Sequence, residues 1–172
     1  MKIYYTLRLV LYTVLAVLIG VYSHQLLDYL HYLVGGVMVL FGIEGIFIPV
    51  AKDIKTFIHK PQFFLGHVNL VIGIVMMAAI RDFNNICMIW ATWTIVREAF
   101  EIYEEVHKLI HRFPAVLSFI LSIVEVVFSI LLLIYASEHH ALTHIYLLIP
   151  ELIINGLSPL LFEIHLKRRW VG

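Results

Sequence analysis

The chain has 172 residues, of which 62% are apolar and 14% are charged, and its twelve Lys and Arg balance its twelve Asp and Glu. A typical soluble domain has about 25% charged residues, so polar groups are too few here to cover a water-soluble surface. High hydropathy excludes a disordered chain, and zero net charge excludes a nucleic-acid binder that relies on a basic field. The lone Cys87 excludes an intrachain disulfide and a cysteine-based zinc site. The composition therefore predicts an integral membrane protein.

Six apolar segments approach the roughly 20 residues that a membrane-spanning helix needs. In chain order they are Tyr4–Val21, His31–Val50, Phe63–Ile80, Asn85–Tyr103, Pro114–Ser137 and Thr143–Leu166. The first is expected to be a retained span and not a signal sequence, because its apolar run is long and no small-x-small cleavage site follows it. The polar breaks are short, so consecutive helices must be antiparallel. The predicted fold is all-α: a polytopic bundle of six transmembrane helices in one membrane domain, residues 1–172.

Basic residues alternate along these segments and predict an orientation in the membrane. One side of the predicted bundle carries Lys2, Arg8, Lys52, Lys55, Lys60, Lys108, Arg112, Lys167, Arg168 and Arg169, whereas the other carries Arg81. Because Lys and Arg accumulate on the cytoplasmic side, both termini are expected to be cytoplasmic in a multi-pass protein of the inner or plasma membrane.

The six segments also predict a threefold repeat of one helical hairpin, at about 4–50, 63–103 and 114–166. Matching positions hold Gly20, Gly73 and Glu125 in the first helices, and Gly42, Glu98 and Gly156 in the second helices. Small residues at such positions let helix backbones approach closely in lipid. A two-helix repeat returns the chain to its starting side, so the three copies are expected to be parallel rather than inverted.

A short motif in the fourth segment carries a family resemblance. The stretch from Trp93 to Ile102, with Arg97 and Glu101 between them, resembles the W-A-I-x-R-G-I-x-E-I signature of the HdeD-like acid-resistance membrane proteins. Chain length, six spans and hairpins with internal glycines resemble that family too. The chain departs from it at Glu98, where the family has Gly, and in lacking Pro at its outer hairpin ends. Membership would imply a bacterial or archaeal plasma-membrane protein linked to acid stress.

Several polar residues fall inside the predicted spans, where a central charge costs roughly 2.5–3.5 kcal/mol on insertion scales. The candidates for a buried polar or proton-binding site are Glu44, His67, Asn69, Arg97, Glu98, Glu101, Glu125, Glu151 and Asn155. One interpretation is a polar cavity that opens towards the cytoplasm, in which carboxylates carry protons. The other is structural: an Arg97–Glu101 pair at i,i+4 spacing, with protonated Glu125 and Glu151 hydrogen-bonded across helices.

Histidine is abundant, with ten residues, and five of them lie on the predicted outer side. A possible zinc site there would use His24, Asp28, His31, His140 and His144. His140 and His144 have the i,i+4 spacing by which two imidazoles can bind one metal. The same histidines could instead become charged together in acid, or be ordinary residues of the membrane interface. Apart from this zinc hypothesis, no cofactor is expected.

Common catalytic and nucleotide-binding signatures are absent: the sequence has no P-loop, GxGxxG, GxSxG or HExxH motif. The first functional expectation is therefore a non-enzymatic membrane protein of the stress response that senses or conducts protons through buried carboxylates. The alternative is a small transporter or channel subunit for a cation or small solute, and a metal-dependent intramembrane enzyme is less expected. The expected partners are the lipid bilayer and further copies of the chain or a larger membrane complex, without nucleic acid.

Overall fold

The structure is a computed structural model that describes the backbone of residues 2–52, 61–110 and 115–171, and the side chains of residues 5–46, 63–110 and 115–157. These residues form six α-helices and no strand. The helices are α1 (Lys2–Asp28), α2 (Leu30–Lys52), α3 (Pro61–Ala79), α4 (Phe83–Ile110), α5 (Val116–Ile134) and α6 (Glu138–Val171). The predicted all-α class is confirmed.

Two of the helices are long and apolar enough to cross a membrane, over Tyr5–Asp28 in α1 and Val116–Ile134 in α5. Shorter apolar stretches, Leu30–Ile46 and Phe63–Ala79, lie in α2 and α3. These lengths are those of the described residues, and the six-span bundle, its orientation and its hairpin repeat stay predictions.

Side-chain hydrogen bonds cap the starts of two helices, α4 and α6. The backbone N–H of Asn85 donates to Oδ1 of Asp82 at 2.9 Å, which caps the first turn of α4. Ser137 does the same for α6, where its Oγ accepts from the N–H of His140 at 3.2 Å. Within α1, Tyr22 has non-helical dihedral angles (φ −107°, ψ 15°), so this helix is kinked near its end.

The chain divides into two compact units, residues Asp28–Trp90 and residues Met1–Leu27 with Ala91–Gly172. In the first, glycines bring α2 and α3 into backbone contact. A Cβ added at Gly73 would lie 2.6 Å from the carbonyl oxygen of Gly35, and one at Gly42 would lie 2.9 Å from the carbonyl oxygen of Gly66. These two contacts share one antiparallel register. The close approach expected at Gly42 and Gly73 is therefore present.

The second unit contains most of α1 and α4 together with α5 and α6. Gly156 of α6 lies against Leu9 and Tyr12 of α1, with a hypothetical Cβ 3.3 Å from the Cα of Leu9. At the other end of these helices, Ser23 donates to the phenol oxygen of Tyr146 at 3.3 Å. This unit holds the largest group of buried charges in the described part of the chain, and we examine it as the functional site.

Candidate functional site

The buried face of α4 changes from apolar to charged along its length. Trp90 and Thr94 are buried, and helical periodicity continues the same face to Arg97, Glu98 and Glu105. Arg97 is only 8% exposed and Glu98 only 1%. A helix face that continues into the protein interior therefore places a guanidinium and two carboxyl groups among buried residues.

Arg97 binds carboxylates from three helices. Its Nη2 lies 2.9 Å from Oε2 of Glu125 in α5, and its Nη1 lies 2.7 Å from Oε1 of Glu151 in α6. Its Nε donates to Oε1 of Glu98 at 2.8 Å, and Oε1 of Glu101 lies 3.8 Å from the same nitrogen. We call these five residues the Arg97 cluster. The cluster links α4, α5 and α6 through one side chain.

The Arg97 cluster contains more acids than bases. Glu98, Glu125 and Glu151 are each at most 4% exposed, and each offers one oxygen within 4.8 Å of the others. Fully ionised, these three groups and Arg97 would have a net charge of −2, before Glu101 is counted. Uncompensated charge in a low-dielectric interior is costly. The cluster therefore needs a proton or another cation to balance it.

Two carboxylate oxygens of the cluster retain hydrogen-bonding capacity. Within the described part of the chain, Oε1 of Glu125 and Oε2 of Glu151 are buried without a hydrogen-bond partner. Buried polar atoms normally have one. A proton on either residue would convert an unpaired acceptor into a donor for its neighbour, so these oxygens are suited to holding the proton that the charge count requires.

Neighbouring side chains shield the cluster on one side and leave it accessible on another. The Trp93 ring packs over Arg97, with the guanidinium carbon 4.7 Å from the ring centroid, and Asn155 donates to Oε1 of Glu151 at 3.4 Å. The side chain of Glu101 is 34% exposed, whereas those of the other four cluster members are at most 9% exposed. Glu101 is therefore the most exposed member of the cluster.

Two further hydrogen-bonded groups, which are not among the sites predicted from the sequence, lie on the same helices. Buried Glu105 of α4 accepts a hydrogen bond from Ser118 and another, at 3.4 Å, from Ser122 of α5. Burial raises the pKa of Glu105, although the Ser118 hydroxyl and Lys108 act in the opposite direction. A signal was present in the sequence, because Glu105 follows Glu98 by two helical turns and so shares its face.

The second such group pairs Ser129 of α5 with His144 of α6, whose Nε2 lies 3.3 Å from the serine Oγ, and both residues are buried. The sequence-based predictions for His144 are an outer metal ligand, a histidine that becomes charged in acid, or an ordinary residue of the membrane interface, and none of them pairs it with Ser129. The four-residue spacing between Ser129 and Glu125 already placed this serine on the face of α5 that carries the carboxylate.

The structure brings together six of the nine predicted polar residues, namely Arg97, Glu98, Glu101, Glu125, Glu151 and Asn155. The remaining three, Glu44, His67 and Asn69, belong to the unit that contains α2 and α3. Asn69 is buried there, whereas His67 is exposed and its Nδ1 lies 2.9 Å from the carbonyl oxygen of Phe63.

The predicted outer histidine site is placed as follows. His140 contacts the carbonyl oxygen of Tyr135 through Nδ1 at 2.9 Å, whereas His144 contacts Ser129. His24 and Asp28 are exposed, and His31 is half-buried. Among described side chains, the residues grouped closely enough to share one metal ion are Glu98, Glu125 and Glu151. The zinc hypothesis for the histidines stays a prediction.

Comparison of the chain with protein-family models, curated proteins and solved structures finds no significant match. The geometry of the site and the sequence motif that contains Trp93, Arg97 and Glu101 are therefore the features that bear on function.

Proposed function

We propose that the chain is an integral membrane protein that takes up and releases protons at the Arg97 cluster, as part of a response to acid. The observation that carries the proposal is the charge imbalance, since one guanidinium faces three carboxylates that are almost fully buried. Like charges this close in a low dielectric cannot all be present. At least one of the three carboxyl groups therefore holds a proton, and its release or uptake changes the charge of the protein interior.

Exposed apolar residues support the placement in a membrane. Only 22% of the residues in each of the two candidate spans, in α1 and α5, are buried. A core helix of a soluble protein would bury most of its apolar surface, whereas these helices expose residues such as Leu7, Val17, Leu117 and Ile134. A hydrocarbon environment would cover them at no cost.

The proposed route of proton exchange is Glu101. Its side chain is 34% exposed while Arg97, its neighbour in the cluster, is 9% exposed. The distribution of Lys and Arg predicts that this end of α4 faces the cytoplasm. The motif that resembles the HdeD-like family contains both residues and also Trp93, which packs on the guanidinium. Two of the residues that carry the resemblance, Arg97 and Glu101, are therefore members of the Arg97 cluster, and a third, Trp93, packs against it.

The test is infrared difference spectroscopy of the purified full chain in lipid vesicles while the pH is stepped. Protonated carboxyl groups absorb in a region separate from carboxylates. We expect a signal from a buried protonated carboxyl group that weakens in Glu125→Gln and in Glu151→Gln. Glu138→Gln is the matched control, because Glu138 is an exposed carboxylate in the same helix as Glu151. An unchanged signal in both cluster variants, with the proteins still folded, would contradict the proposal.

A cation transporter or channel subunit is the second candidate, favoured by the three carboxylate oxygens within 4.8 Å of one another. Proton binding is preferred because Arg97 already lies within 2.9 Å of two of these carboxylates, and a guanidinium repels a second cation. Titration of the metal-free protein with Mn²⁺ separates the two. Stoichiometric binding that disappears in Glu125→Gln would favour the cation function, and its absence would favour the proton function.

A further inference from the structure

All four polar residues of α5 lie on one stripe. The helix runs from Val116 to Ile134 and is apolar except for Ser118, Ser122, Glu125 and Ser129. Their spacings of four, three and four residues confine them to an arc of about 60° at 3.6 residues per turn. Ser122, Glu125 and Ser129 are at most 3% exposed, so the stripe faces the protein interior. We call these four residues the α5 polar stripe.

Each residue of the stripe contacts an ionisable group on another helix. Ser118 and Ser122 donate to Glu105 of α4. Glu125 binds Arg97 of α4, and Ser129 contacts His144 of α6. The partners along α5 are thus, in order, Glu105, the Arg97 cluster and His144. Consecutive residues of the stripe are about one helical turn apart. Serines that bonded only to their own helix would not produce this order.

We infer that the α5 polar stripe conducts protons between Glu105 and His144 through the Arg97 cluster. The inference rests on the proposed function, because the cluster must be able to hold a proton. It adds that the cluster exchanges protons with both sides of the membrane. The stripe from Ser118 to Ser129 rises by roughly 16 Å, which is about half of a hydrocarbon core that is roughly 30 Å thick.

Each step of the pathway conserves charge and atoms. A proton that reaches Glu105 neutralises its carboxylate. When Glu105 releases it, a serine oxygen accepts that proton and the serine releases its own proton onward. Glu125 gains a proton from Ser122 and later loses it to Ser129. Within the described residues neither serine is hydrogen-bonded to Glu125, whose Oε2 binds Arg97, so a side-chain rotation or a bridging water must complete both transfers. Ser129 relays the proton to one imidazole nitrogen of neutral His144, which releases the proton of its other nitrogen. After one passage every group regains its starting net charge and one positive charge has crossed. The serine hydroxyls must then rotate and His144 must return to its first tautomer before the next proton can follow.

Structural hydrogen bonding between helices is the competing explanation, because serine commonly joins membrane helices in this way. The two explanations differ in what replaces the hydroxyl. A conducting residue needs a group that both accepts and donates a proton, which threonine retains and alanine lacks. If a serine only joins helices, its substitution by alanine should lower stability and leave conduction intact.

The experiment measures proton flux into vesicles that contain the full chain, driven by a potassium diffusion potential and followed with an enclosed pH-sensitive dye. We expect Ser129→Ala and Ser122→Ala to lower the flux by roughly a hundredfold, the scale of a lost proton-transfer group. Ser129→Thr should retain most of it. Thr13→Ala is the matched control, because this hydroxyl is exposed and donates to the carbonyl oxygen of Leu9 in its own helix.

Infrared spectra of the same samples distinguish failure of this inference from failure of the proposed function. Loss of flux in Ser129→Ala with the buried carboxyl signal retained supports the pathway. Wild-type flux in both serine-to-alanine variants, or a wild-type protein that shows the carboxyl signal but no flux, overturns the pathway and leaves proton binding standing. Equal loss in Ser129→Ala and Ser129→Thr also overturns it. A carboxyl signal that survives both Glu125→Gln and Glu151→Gln overturns the proposed function itself.

Discussion

A single arginine links α4, α5 and α6, because Arg97 is bound to carboxylates of all three helices. Removing one partner of a buried ion pair typically costs about 3–5 kcal/mol. We therefore expect Arg97→Gln to lower the free energy of unfolding by about that amount at neutral pH. The loss should shrink in acid, where protons take over the neutralisation of the carboxylates. Thermal unfolding in lipid or detergent at several pH values measures both effects.

A second arginine provides the control for this experiment. Arg81 is exposed, and its Nη1 donates to the carbonyl oxygen of Met77 at 3.0 Å. Arg81→Gln removes the same charge without leaving buried carboxylates behind, so we expect a change of about 0.5 kcal/mol or less. Equal destabilisation by the two substitutions would show that Arg97 does not neutralise the cluster.

Glu105 provides a test based on its titration. Its ordinary pKa is 4.5, and burial raises that pKa in the folded chain, with Glu98 acting in the same direction and Lys108 against it. Above pH 4.5 the unfolded chain loses this proton while the folded chain retains it, so the contribution of Glu105 to stability falls as the pH rises. The neutral variant Glu105→Gln escapes this loss. The melting temperature of Glu105→Gln minus that of the wild type should therefore increase between acidic and neutral pH. A decrease in this difference would contradict the raised pKa of Glu105.

The sequence predicts the charged members of the site better than its hydroxyl groups. A charge within a hydrophobic segment stands out because of its insertion cost, and this singled out Arg97, Glu101 and Glu125. Serine costs little in lipid and gives no such signal. Ser122 and Ser129 become informative only when their spacing from Glu125 is combined with the helices that face them, because spacing alone does not identify the partner helix.

Among the elements, the pair α2 and α3 has the closest backbone contacts at its glycines, and this predicts opposite outcomes for two substitutions to alanine. A Cβ at Gly73 would lie 2.6 Å from the backbone oxygen of Gly35, whereas a Cβ at Gly36 would meet no atom within 4 Å. Gly73→Ala must push the helices apart, and overpacking of this kind costs about 1–3 kcal/mol.

Gly36→Ala is the control for that change, and it should be neutral or stabilising by up to about 1 kcal/mol, because alanine is the better helix former. Thermal unfolding of both variants tests the pair. If Gly73→Ala were as stable as Gly36→Ala, the helices would not be in contact at this position.

The lengths of the elements also show what hydropathy does and does not specify. Each predicted span corresponds to one helix, but the fourth, Asn85–Tyr103, lies within the longer α4, Phe83–Ile110. The predicted span ends at Tyr103 because polar residues begin at Glu104, whereas the helix continues through these polar residues to Ile110. The sequence thus predicts the number and type of elements more accurately than their ends.

At the scale of the molecule, hydropathy does not specify which helices pair. The hairpin repeat assigns α2 and α3 to different copies, yet their glycines bring these two helices into backbone contact. Lipid-facing and protein-facing apolar residues look alike in a hydropathy pattern, because lipid tails are as apolar as leucine. Close pairing is instead indicated by the seven-residue spacing of Gly35 with Gly42 and of Gly66 with Gly73. The threefold repeat of parallel hairpins stays a prediction.

Orientation in the membrane is a property of the whole molecule and can be tested with the chain's single cysteine removed. In a Cys87→Ser background, we introduce Glu138→Cys at the start of α6 and, in a second variant, Lys108→Cys near the end of α4. The excess of Lys and Arg on one side predicts that Glu138 faces outwards and Lys108 faces the cytoplasm. A membrane-impermeant maleimide added to intact cells should label the cysteine at 138 and reach the one at 108 only after permeabilisation. A reporter fused to the C-terminus should be cytoplasmic.

Labelling with the opposite pattern would reverse the orientation and with it the side from which Glu101 exchanges protons. Labelling of both sites in intact cells would instead remove the membrane crossing by α5 on which the proposed proton pathway depends.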